Sequence, residues 1–240
     1  MKTDTICGLN AINALFRRRP GLVERLFYTP LQRAAAGPHC AVLAAARKPY
    51  RMVEEDELAT IAGTPHHGGL VAIARPRAVD VFPLLQPPQV NLLLVLDGIG
   101  NPHNLGAIAR SAAFFGVDAM LLSEGPGDAM PSDAAYRVAE GGLEMLDLYK
   151  SRNLAQVITA IGPHYRTVAA SLSRDAAPLS ELPRDRPIAL VLGNEERGVS
   201  PEVLAACRRQ VRVDGSGRVQ SLNVAQAAAV MLADLARPPG

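Results

Sequence analysis

The chain has 240 residues, 48% of them apolar, with 4% aromatics, no Trp, three cysteines and a net charge of +2. That composition excludes a disordered chain and a disulfide scaffold, and it is too poor in aromatics for base stacking to be the main mode of nucleic-acid binding. No apolar run approaches the ~20 residues that cross a bilayer, and Met1-Lys2-Thr3-Asp4-Thr5 lacks a signal-peptide layout, so a soluble protein in a reducing cytoplasm is expected. Charge is uneven. Residues 1–89 hold 11 Lys/Arg against 7 Asp/Glu, and residues 90–240 hold 14 against 16. A basic front half suits a phosphate-facing module joined to a second domain, and ordinary surface scatter would give the same numbers.

In chain order, a helix is expected over residues 9–18, ending in Arg17-Arg18-Arg19-Pro20. A strand follows over 23–28. Thr29-Pro30 reads as a helix start, a cap residue followed by Pro at the first helical position. Short apolar runs lie at 41–44 and 70–74, with a helix near 54–61 between them. Residues 75–89 contain Pro76, Pro83, Pro87 and Pro88, which interrupt helices and central strands, and read as an interdomain linker. The domains are therefore expected at 1–74 and 90–240.

Beyond the linker, strands and helices alternate. Residues 90–96 form a continuous apolar run, typical of a strand buried on both faces. A helix over 105–115 stops at Gly116, and a strand follows over 117–122. Ser132 opens a helix that ends at Gly141-Gly142. A third strand covers 145–149, and Ser151 caps a helix through 161. Strands follow at 166–170 and 188–192. Ser200-Pro201-Glu202 opens a short helix, 210–213 is a last strand, and 222–235 is a final helix, apolar around most of its circumference. This rhythm predicts an α/β domain, a parallel sheet with helices on both faces, behind a small N-terminal α/β domain.

Such sheets bind ligands at the carboxyl ends of their strands, so the loops there carry the information. In Asp97-Gly98-Ile99-Gly100-Asn101-Pro102-His103-Asn104, His103 stands where a dinucleotide fingerprint needs its third glycine. The loop offers amides instead, with Arg110 six residues beyond Asn104. A helix cap and a surface arginine would look the same. In Gly193-Asn194-Glu195-Glu196-Arg197-Gly198, two glycines bracket two acids and an arginine, and glycine lets backbone approach a ligand closely. A solvated turn is the plain alternative. Ser221-Leu222-Asn223 enters the last helix, with Ser221 as its cap and Asn223 in its first turn. His39, His66, His67, His103 and His164 form no metal-ligand pattern, and no metal is expected.

Together and in this order, the three loops resemble the motifs of the SpoU family of RNA 2′-O-ribose methyltransferases, within the SPOUT class. Asn104, Gly106 and Arg110 match the first. Gly193, Glu195 and Gly198 after an apolar strand match the second, and Ser221-Leu222-Asn223-Val224 the third. The resemblance covers about residues 90–236. Gly8-Leu9-Asn10-Ala11 and His67-Gly68-Gly69-Leu70-Val71-Ala72 resemble the family's N-terminal substrate-binding domain. One position departs from the pattern: Val213-Asp214-Gly215 replaces the usual Ile-Pro-Met, placing a carboxylate near the expected cofactor site.

The resemblance implies a C-terminal trefoil knot that binds S-adenosyl-L-methionine through backbone groups near Gly193, Val213 and Leu222. It implies a homodimer with a shared active site, in which Arg110 reaches the partner's cofactor. Arg110 would serve as base or as stabiliser of the developing alkoxide, since a free guanidinium stays protonated far above neutral pH. Asn104, Ser221 and Asn223 would hold ribose and phosphate, and Glu195 would orient Arg110 or a backbone loop. The substrate would be ribosomal or transfer RNA. Independently of the resemblance, the basic balance of the front half and the cluster Arg17, Arg18 and Arg19 suggest phosphate contacts there, and a complement to the C-terminal dipole of the first helix is the plain alternative. A catalytically silent RNA-binding relative with the same knotted fold is the alternative.

Overall fold

The computed structural model describes residues 3–173 and 175–236. In the N-terminal part, β1 (Asp4–Cys7), β2 (Val23–Tyr28), β3 (Tyr50–Met52) and β4 (Leu70–Ala74) form a sheet of order β1-β4-β2-β3. The β1–β4 and β2–β4 pairs are antiparallel, and β2–β3 is parallel. Side chains on adjacent strand residues point to opposite faces, so Leu70 and Ala72 join one apolar cluster and Val71 another. The first cluster takes in Ile12 and Leu15 of α1 (Leu9–Arg18) and Leu43 of α2 (Arg33–Ala45), and the second takes Leu58 of α3 (Glu55–Ala62). The expected helix start at Thr29-Pro30 is a 3-10 turn, Pro30–Gln32, leading into α2. The apolar run at 41–44 lies inside α2. Strands β1 and β3 are too short to carry a periodic signal.

The C-terminal part is an eight-stranded sheet in which every pair is parallel. Its strands are β5 (Asp80–Val81), β6 (Leu92–Asp97), β7 (Ala119–Ser123), β8 (Asp147–Ser151), β9 (Arg166–Ala170), β10 (Ala177–Pro178), β11 (Ile188–Gly193) and β12 (Arg209–Arg212), in the order β10-β12-β9-β11-β6-β7-β8-β5. Leu94 and Leu96 of β6 share one core with α4 (Pro102–Phe114), α5 (Asp133–Ala139), α6 (Gly142–Met145) and α9 (Val224–Leu235). Leu93 and Val95 face the other way, with α7 (Leu154–Ile161) and α8 (Pro201–Ala206). Helices therefore cover both faces. Capping follows local chemistry: Asn101, Ser132, Asn153 and Asn223 each accept a bond from a free N–H of the first turn of α4, α5, α7 and α9. Asn153 and Asn223 thus take the capping roles expected of Ser151 and Ser221.

The two parts share one continuous apolar core, which runs from Ile12 and Leu15 into Tyr136 and Leu143. At its edge lies a buried charged seam. Arg19 Nη2 is 2.7 Å from Glu144 Oε1, 3.3 Å from Asp4 Oδ2 and 3.2 Å from the Tyr136 hydroxyl. The Arg19 side chain is 9% exposed and that of Glu144 1%. The Arg77 backbone N–H donates to Asp4, and its guanidinium donates to the Leu143 and Leu146 carbonyls. Burial pushes the Asp4 carboxyl up and the Arg77 guanidinium down. For Arg19 burial acts downward too, but its hydrogen bonds and attraction to Glu144 outweigh it and the guanidinium is raised.

This seam corrects two expectations. Arg18 pairs with Asp147 at 3.0 Å and Arg19 is buried, so within the triplet expected to meet RNA Arg17 alone stands exposed without an ion pair among the described residues. Residues 75–89 are not a free tether either. Arg77 is built into the seam, and β5 extends the large sheet beside β8.

Candidate active site

Strand order reverses around β6, which has its sequence successor β7 on one side and the distant β11 on the other. A crevice opens at the carboxyl ends of strands where the order reverses. Gly193 at the end of β11 lies in register with Asp97 at the end of β6, so the first two motif loops emerge side by side.

The β11 loop is a tight hairpin. Asn194 and Gly198 exchange backbone hydrogen bonds at 3.0 and 2.9 Å. A Cβ on Gly193 would stand 2.1 Å from the Gly198 carbonyl carbon, so only glycine fits. Asn194 ties the loop together. Its Oδ1 accepts from the Glu196 and Arg197 N–H groups, and its Nδ2 donates to the Gly98 carbonyl at 2.8 Å. Asp97 Oδ2 accepts from the Ser200 N–H at 2.7 Å, a second tie between the loops. The motif reading missed Asn194 and Asp97. An asparagine directly after a strand, followed by a tight turn, is the signal of an Asx turn.

Asn104 joins all three loops. From the first turn of α4, its Nδ2 donates to Glu195 Oε1 and its Oδ1 accepts from Asn223 Nδ2 at 3.2 Å. Asn223 also caps α9, its Oδ1 accepting from the Ala225 N–H at 2.8 Å. Residues separated by 91 and 119 positions thus share one amide. Helix α9 itself packs against α4.

The remaining expected residues divide. Leu222 is 45% exposed and Val213 packs partly against the core, both on the segment between β12 and α9. Ser221 is exposed and makes no hydrogen bond among the described residues. Asp214 of the departing triplet accepts from Arg212 Nε at 2.8 Å, so its carboxylate is paired. Arg110 is not part of the amide cluster. It projects from α4 toward Glu140, 3.0 Å away, and its side chain is 56% exposed. Glu195 therefore holds Asn104, and does not orient Arg110 within one chain. No group of three or more potential metal ligands occurs among the described residues, and no helix there is long and apolar enough to cross a membrane.

The donor set suits S-adenosyl-L-methionine. The crevice offers a glycine that admits close backbone approach, half-exposed apolar side chains at Leu222 and Val213, and amide and carboxylate groups for polar atoms.

Residues 91–233 match the profile of the SpoU rRNA methylase family, and residues 5–79 match that of the RNA 2′-O ribose methyltransferase substrate-binding domain. An uncharacterized tRNA/rRNA methyltransferase, YfiF, of Escherichia coli O157:H7 is 31% identical over 231 residues, which are 95% of this chain and 66% of that relative's length. The 23S rRNA (guanosine-2′-O-)-methyltransferase RlmB of Acinetobacter baylyi is 36% identical over 190 residues, covering 76% of this chain and 75% of the relative. The AdoMet-bound rRNA methyltransferase of Sinorhizobium meliloti shares the fold, with a TM-score of 0.80 at 22% identity, covering 97% of this chain and 86% of that one. The loops, their order and the profile that spans them agree: this chain belongs to the SpoU rRNA methylase family.

Proposed function

We propose that this chain is an S-adenosyl-L-methionine-dependent RNA ribose 2′-O-methyltransferase acting as a homodimer. The observation that carries this reading is the bridge of Asn104 to Glu195 and Asn223, which joins the three motif loops at the sheet's crevice. The cofactor, when bound, supplies an already activated methyl electrophile. The chain's own task is then to hold a ribose hydroxyl and ease the loss of its proton. Asn104, Asn223 and Ser221 position ribose and phosphate. Arg110 stabilises the developing alkoxide or takes its proton. Gly193, Val213 and Leu222 line the cofactor's seat.

The placement of Arg110, outside its own chain's cluster, supports a site shared between two protomers. The return of α9 to α4, after strands that lie beyond β11, supports the trefoil threading the family resemblance implies. The relative from Acinetobacter is named for 23S ribosomal RNA, which favours ribosomal over transfer RNA as substrate and a cytoplasmic place of work. Two measurements test the reading together: calorimetry with S-adenosyl-L-methionine, and mapping of 2′-O-methyl sites in cellular RNA with and without the gene. Micromolar binding and the loss of a discrete site are expected. No binding at millimolar cofactor, or an unchanged methylation map, overturns it.

A further inference from the structure

An open groove of about 420 Å³ lies between α1 of the N-terminal part and α4 of the sheet domain. Asn10, Asn13 and Arg17 line one wall, spaced three and four residues apart and so sharing one face of α1. Arg110 and Phe114 line the other wall, four apart on α4, with Glu140 beside them. The volume falls within the range of roughly 300–1,000 Å³ common for small-ligand sites.

The chemistry of this groove is mixed in a particular way. Phe114 is 82% exposed, one of five phenylalanines in a chain without tryptophan. Its ring rests edge-on against Phe115, with centroids 5.1 Å apart, which steadies it with a face open. Asn10 is exposed at the entry to α1. Asn13 uses its Oδ1 on His39 at 2.8 Å, and its amide N–H groups are left for another acceptor. Arg110 is balanced by Glu140, while Arg17 makes no ion pair among the described residues. An open aromatic face, two amides and one uncompensated guanidinium are the complement of base, base edge and phosphate. Arg110, which the methyltransferase reading assigns to the site shared with the partner, stands in the same groove.

We propose that this groove seats a nucleotide flanking the methylated ribose, its base on Phe114, its base edge against Asn10 and Asn13, and its phosphate on Arg17. The inference rests on the methyltransferase reading and assigns to α1 a share in substrate choice. Its occupant is RNA, not a second copy of the chain, because the walls are lined by amides and charge.

The test uses the full chain with unmodified 23S ribosomal RNA made by transcription, and it reads binding rather than methyl transfer. Phe114→Ala should weaken binding about 5- to 100-fold, the range of one lost stacked base, and the pair Asn10→Ala with Arg17→Ala should weaken it and lower its salt dependence. Phe114→Tyr, which keeps the aromatic face, should restore binding. Ultraviolet cross-links should fall on peptides containing Phe114 and Asn10. Calorimetric affinity for S-adenosyl-L-methionine and the mass in solution should not change. Affinity within twofold of wild type in Phe114→Ala overturns the proposal. So does a fall in mass to the monomer, which would make the groove a seat for the partner copy. Loss of cofactor binding by the wild type would sink the methyltransferase reading alone, since RNA binding is measured without the cofactor.

Discussion

At the scale of single residues, the bridging amide of Asn104 and the outlying guanidinium of Arg110 separate two kinds of defect. Asn104→Ala removes both bonds that its own amide makes across the loops, one of them to a charged acceptor, and turnover should fall roughly tenfold or more. Asn104→Asp should be worse at neutral pH, since it sets a second carboxylate against Glu195. Steady-state kinetics on the mapped RNA would check the ranking. An Asp variant more active than the Ala variant would remove Glu195 from the arrangement. Arg110→Ala should drop turnover below a tenth of wild type while calorimetric cofactor affinity stays nearly constant, because Arg110 touches Glu140 and no motif loop of its own chain. Arg110→Lys should fail as well, having lost the planar fork. His39 carries a different signal. Burial lowers its pKa from the ordinary 6.5, and its ring lies 4.4 Å from that of Phe16. A histidine depressed in the folded state contributes stability above pH 6.5, and that stability is lost as pH falls through the folded value. The melting temperature should therefore decline below pH 6.5, ahead of the carboxylates, and His39→Gln should flatten the decline. A profile that stays level down to pH 5 would contradict it.

At the scale of elements, helix contacts depend on absent side chains. A Cβ on Gly106 would lie 2.4 Å from the Ala135 carbonyl oxygen, so α4 and α5 meet backbone to backbone there. Gly106→Ala should cost about 1–3 kcal/mol in urea unfolding, and a neutral result would mean that the helices separate readily. Gly106 fell within a motif because its spacing to Asn104 and Arg110 is fixed, and packing now supplies its reason. Most of the large sheet was legible for a similar reason. Strands buried on both faces write long apolar runs, and helix starts write Pro, Ser or Asn. Short edge strands such as β1, β3, β5 and β10 write nothing, because two to four residues hold no period. The triple-arginine end of α1 misled in a specific way. Local sequence shows charge but not its partner, and Glu144 lies 125 positions away from Arg19. The final helix is apolar around most of its circumference, and a helix of that kind needs cover on more than one side. Ala228 is fully buried within the chain, so an arginine there would disrupt folding whatever the assembly, whereas Val230 is 44% exposed. Val230→Arg is the cleaner probe of the proposed dimer: light scattering should show the mass halving while the melting temperature holds. A dimer that persists would move the interface elsewhere.

At the scale of the whole molecule, the buried seam decides how the parts behave. Glu144→Ala would leave Arg19 and Arg77 inside with their main counter-charge gone. Removing one partner of a buried pair costs about 3–5 kcal/mol, so melting should fall by roughly 6–20 °C, as a single transition of both parts. Two separate transitions in calorimetry would show that the parts are independent. The same reasoning alters what truncation does. Residues 90–236 without the N-terminal part would expose Tyr136, Leu143 and an unpaired Glu144, so they should aggregate or melt early. The basic excess of residues 1–89 is visible in the composition, but the dependence of that part on the sheet is not, because the seam joins residues far apart in sequence. That seam also has a geometric meaning. A buried ion pair cannot hinge without baring a charge, so the distance from Asn10 to Asn104 is fixed in advance. On the proposed reading the protein would work as a caliper with locked jaws, admitting a ribose to the crevice only from an RNA whose own fold spans the set gap.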